Sequence, residues 1–176
     1  IEGASEGAGL GIRFLKHLTR TRLLLHLVDM MPYDGSTAGE NAEVIEQELE
    51  KFSPTMAEGD RWLILNKVDL LMDDEVDARC QEVVDHLNWQ GPVFRMSGLA
   101  SQGTKDLCAA IMDYIDDQRQ REAADPELAE HAEARRMEMQ AQARLRIEEL
   151  ADARKNTRKQ AKAEEQDIDN DDDDYD

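Results

Sequence analysis

Three short apolar runs govern what this chain can fold into: "LLLHLVDM" at 23–30, "RWLILNK" at 61–67 and "PVFRMS" at 92–97. Each is nearly continuous in apolar residues rather than alternating, the pattern of strands in a parallel sheet covered on both faces. Each is also followed by helical periodicity. "GENAEVIEQELEKF" spaces Val44, Ile45, Leu49 and Phe52 along one stripe, with Glu48 among them. "DDEVDARCQEVVDHLNW" opens on acids, as a helix N-terminus favours, and repeats Val76, Cys80, Val83, Val84 and Leu87. "TKDLCAAIMDYIDD" brings Leu107, Ala110, Ile111 and Tyr114 into register. Ahead of the first run, "GIRFLKHLTRT" reads as a short helix with Ile12, Leu15 and Leu18 on its apolar side. The expected fold class is α/β, an open and mostly parallel sheet of three strands with helices.

The pattern changes after residue 118. The remainder is rich in Ala, Glu, Arg and Gln, good helix formers, but poor in large apolar residues. It is expected to be a charged tail, partly helical or disordered, standing apart from the unit at 1–118. Met137 and Met139 would form a weak helical face. The last ten residues, "DIDNDDDDYD", are expected to be disordered, serving as a solubilising end or as a contact for a basic partner. The chain's net charge of −19 argues against general electrostatic attachment to nucleic acid and leaves room only for a local basic patch.

Cys80 and Cys108 lack a CxxC neighbour and zinc-ligand spacing, so both read as reduced, mostly buried residues of a cytoplasmic protein. No metal site is expected in this chain. The longest apolar run is too short to span a bilayer, and no membrane association is expected. The chain opens at Ile1, not at an initiating methionine, which suggests that more chain precedes it. His26 reads as a core or edge histidine, while His17, His86 and His131 lack partners at useful spacing. Trp62 and Trp89 read as packing residues. Asp29, at the end of its strand, would cap the next loop or orient a mobile segment.

The chemistry concentrates where the second and third runs end. In a parallel α/β sheet ligands sit at the carboxyl ends of the strands, and there the sequence places "NKVD", residues Asn66, Lys67, Val68 and Asp69. The two acceptor oxygens of Asp69 match the adjacent ring N1–H and exocyclic amine of guanine. Adenine would leave that carboxylate desolvated and unpaired, a large penalty. The Asn66 amide can donate to the purine N7 and tie neighbouring loops, and the Lys67 stem can lie along the purine face. One helix later "SGLA" leaves the third strand at the same end. The Ser97 hydroxyl is expected to brace Asp69, and the backbone N–H groups of Gly98 and Leu99 to face guanine O6. Either motif alone also fits a simple turn.

NKVD followed by SGLA resembles the last two base-binding motifs of a translational-type P-loop GTPase. The opening "IEGASEGAGLGIRFLKHLTRTRLLLHLVD" is similar to the stretch that follows the DxPG motif in the Obg (CgtA) family of ribosome-associated GTPases. The resemblance covers roughly 1–118. It implies the C-terminal portion of an Obg-type G domain, with Gly3, Gly7, Gly9 and Gly11 in a mobile switch segment. It further implies GTP or GDP and Mg²⁺ as ligands, slow GTP hydrolysis, action in large ribosomal subunit assembly, and a monomer. The phosphate-binding loop and the magnesium ligands would lie upstream of Ile1, since no GxxxxGK[ST] pattern occurs here. No catalytic group is assigned. The strand at 23–30 would then carry a bare edge, making the isolated chain marginally stable and a weak nucleotide binder. The alternative is a non-enzymatic interaction module whose acidic tail binds basic ribosomal or assembly proteins.

Overall fold

A computed structural model of the chain describes residues 11–171. The element order is α1 (Gly11–Leu18), β1 (Leu24–Asp29), α2 (Ala38–Phe52), α3 (Pro54–Ala57), β2 (Arg61–Asn66), α4 (Val76–His86), β3 (Val93–Met96), α5 (Thr104–Ala124) and α6 (Pro126–Asp171), with a 3₁₀ turn at Val68–Leu70. The three strands are parallel in the order β1-β2-β3. The α/β fold expected from the apolar runs is the one observed. Gly11 begins α1, whereas Gly3, Gly7 and Gly9 lie outside the described residues.

Local chemistry sets the helix boundaries. Thr37 caps α2: its Oγ1 accepts from the Glu40 N–H at 3.2 Å, and Glu40 Oε2 accepts from the Thr37 N–H at 2.9 Å. Pro126 lacks the N–H that would continue α5, but suits a first helical turn. Asp125 closes the junction by accepting from the N–H groups of Glu127 and Leu128.

The register assigns each sheet face its cover. Val28, Leu63 and Leu65 face α2 and α4, and pack with Ala42, Cys80 and Val83. Trp62 and Ile64 face the other way, onto Leu107, Ala110 and Ile111 of α5. Trp62 stacks on Phe94 and meets Tyr114 edge-on. Among the described residues only α5 covers this second face, and Leu25 and Leu27, in register with Trp62 and Ile64, are exposed, Leu27 by 56%.

His26 is buried opposite Leu63, and neither ring nitrogen has a hydrogen-bond partner among the described residues. Burial, helped by the nearby Arg61 charge, lowers its pKa to about 4. Two readings of the sequence need correction here. Cys80 is buried but Cys108 is exposed, because it falls on the solvent side of α5. His86, which has no partner close in sequence, meets Glu43 of α2 at 3.0 Å.

The segment after residue 118 does not stand apart. Helix α5 runs through that point, and α6 then packs Met139 and Ala143 against Leu15, Leu49, Phe52 and Met56. A polar clamp fixes it: Ser53 Oγ donates to Gln142 Oε1 at 2.6 Å, and Gln142 Nε2 donates to Thr55 Oγ1 at 2.8 Å. The apolar stripe of α6 is thin, but α1, α2 and α3 offer it a ready-made groove. Met137 lies off this stripe and is exposed.

Candidate functional site

Register puts the three strand ends level, since Asp29 pairs with Asn66 and Asn66 with Met96. The loops that follow β2 and β3 therefore leave the sheet side by side. Lys67 adopts a left-handed conformation, φ 68° and ψ 29°, uncommon for a residue with a Cβ. That twist turns the chain from β2 into the 3₁₀ turn, where buried Val68 anchors the loop. Asp69, the next residue, is exposed, and its carboxylate has no partner among the described residues.

Asn66 Oδ1 accepts from the Gly98 N–H at 3.0 Å, tying the two loops together. The Asn66 amide nitrogen remains available as a donor. The Gly98 N–H, expected to face guanine O6, is thus already engaged. The Leu99 N–H, the other donor expected there, belongs to a residue 91% exposed. A Cβ at Gly98 would lie 3.7 Å from Met96 Cε and 3.8 Å from Asn66 Oδ1, an ordinary contact, so alanine fits there.

Ser97 is 1% exposed and makes a two-way backbone bridge with Gln102. Its Oγ accepts from the Ala100 N–H at 2.9 Å. The expected brace to Asp69 is not formed; Ser97 instead shapes its own loop, because the tight turn at 97–102 brings Ala100 N–H closer to its hydroxyl.

Lys67 Nζ lies 2.5 Å from Asp29 Oδ2. Asp29 Oδ1 also accepts from the Met31 N–H at 3.0 Å, so this carboxylate caps its own loop and holds the lysine. The pairing joins residues 38 positions apart, and only the strand register brings them together. It was not readable from either motif. With both side chains partly exposed, the ion pair adds little stability, but it narrows the lysine's conformations.

The resulting surface offers a free carboxylate, a side-chain amide, a backbone N–H and an aliphatic stem around one level of the sheet. That set matches the polar edge and the face of a purine carrying two adjacent donors. Among the described residues no three His, Cys, Asp or Glu side chains are grouped to hold a metal ion. Among them, too, no helix is long and apolar enough to cross a membrane. No protein-family model matches the chain.

Proposed function

We propose that this chain supplies the base-recognition half of a guanine-nucleotide site in an Obg-like GTPase. The observation that carries the reading is the joined pair of loops: Asn66 Oδ1 holds Gly98 N–H while the Asp69 carboxylate beside it stays unengaged. Asp69 accepts the ring N1–H and exocyclic amine, Asn66 donates to N7, Leu99 N–H donates to O6, and Lys67, steadied by Asp29, lies along the purine face. In this reading GTP and Mg²⁺ are bound with their phosphate and metal ligands on residues outside these two base-recognition loops. The resemblance of the sequence further suggests slow hydrolysis and a role in large ribosomal subunit assembly.

The test is Asp69→Asn in the complete gene product, with guanosine and xanthosine diphosphates compared for binding. The change replaces one acceptor with a donor. It should cost guanosine affinity by on the order of a hundredfold and favour xanthosine. An unchanged preference for guanosine removes Asp69 from the role.

One observation favours an interaction module in the same chain. Past Leu150, residues 151–157 of α6 are all exposed, and the helix continues to Asp171. A projecting helix ending in acids suits a basic partner such as a ribosomal protein. Removing residues after Ala151 leaves the buried part of α6 in place. Loss of ribosome cosedimentation on that truncation supports the module; undiminished cosedimentation rejects it.

A further inference from the structure

At the opposite end of the sheet from the base site, α6 passes the starts of β1 and β2 and encloses a cleft of about 440 Å³, a size typical of small-ligand pockets. Its floor is apolar, made by Leu18, Leu24, Met56 and Met139. Its polar lining holds five arginines, Arg20, Arg22, Arg121, Arg135 and Arg136, against three carboxylates. This is a cationic concentration in a chain whose net charge is −19.

All three carboxylates are already engaged. Asp60 accepts from the Tyr114 hydroxyl, Glu122 pairs with Arg22 at 2.5 Å, and Glu133 pairs with Arg136. Two guanidiniums, Arg20 and Arg135, have no acid partner among the described residues, and Arg121 has only a long pairing, 3.7 Å to Asp117 one turn back, an acid outside the cleft lining. Among the described residues Arg135 donates only to the neutral Thr55 carbonyl, at 3.0 Å. The N-terminus of α6 adds no open donors of its own at Glu127 and Leu128, whose N–H groups are taken by Asp125. The attraction is therefore that of the arginines.

We propose that this cleft binds a small organic phosphate, its anionic group held by Arg20, Arg121 and Arg135 and its apolar body resting on the Leu and Met floor. Guanidinium forks match phosphate oxygens, and a dianion matches the two unpaired arginines, with the loosely paired Arg121 beside them, better than a monovalent carboxylate does. The site does not depend on the guanine reading, since it shares no residue with it.

The experiment is an NMR titration of the arginine Nε–H signals, at constant ionic strength, with inorganic phosphate, phenyl phosphate and acetate. Saturable shifts with both phosphates, tighter for phenyl phosphate and weak for acetate, are expected. Arg20→Gln and Arg121→Gln, at exposed positions where the fold does not depend on the charge, should each weaken binding by about tenfold. Lys67→Gln should leave it unchanged. Shifts that stay linear in phosphate, that survive both arginine substitutions, or that vanish with Lys67→Gln would overturn the proposal.

Discussion

Lowering the pH should unfold this chain earlier than its carboxylates alone would dictate, because of His26. The ring is buried on β1 with both nitrogens unpartnered among the described residues, and its pKa falls from 6.5 to about 4 in the folded chain. A depressed folded value means that the unfolded chain takes up the proton first. The stability tied to the neutral ring is complete above pH 6.5 and drains away as pH falls toward 4. The full loss is about 3 kcal/mol, from 1.36 kcal/mol per unit, and about 2 kcal/mol of it falls between roughly pH 7.5 and pH 5. Asp34, Glu40 and Glu133 are also held below their ordinary values by hydrogen bonds, but they titrate lower, so this window belongs to the histidine. The assay is urea unfolding followed by fluorescence of buried Trp62, at both pH values, for the wild type and for His26→Leu. The wild type should lose about 2 kcal/mol more than the variant does across that interval. Equal losses would refute the assignment, whatever the absolute stability of the variant.

Two further outcomes test the packing. Gly103 has φ +70°, and a Cβ there would lie 2.3 Å from the Arg95 carbonyl oxygen, so Gly103→Ala should cost on the order of 2 kcal/mol in chemical denaturation; a neutral effect would mean that the turn before α5 is looser than described. Ending the chain before Pro126 removes Met139 and Ala143 from their cluster, and should lower the melting temperature by at least ten degrees or so, whereas ending it after Ala151 should change it little; equal melting of the two truncations would show that α6 is not part of the core.

The strands were legible because parallel burial leaves a plain signature. "RWLIL" is four-fifths apolar and β2 occupies it, and the other two strands fall within one residue of their runs. The nearness of NKVD and SGLA was legible for the same reason, since adjacent parallel strands end on the same side. The Lys67–Asp29 pair was not, because it needs the register and not only the strand order. The packing of α6 was obscured by dilution: Met139, Ala143 and Ile147 recur at every fourth residue, but the polar residues between them dominate the composition. The arginine cleft left no local trace. It joins Arg20 and Arg22 to residues about a hundred positions later, as the Arg22–Glu122 pair shows.

The long reach of α6 has a mechanical consequence. The helix is gripped near Met139, Ala143 and Ile147 by α1, α2 and α3, and its last residues extend some 36 Å beyond that grip at 1.5 Å per residue. Helix α1 directly follows the glycine-rich opening of the chain. A five-degree tilt of the gripped section, well within what packed helices undergo, would sweep the acidic end through about 3 Å. Motion too small to register at the fulcrum becomes a displacement that a docked partner can feel.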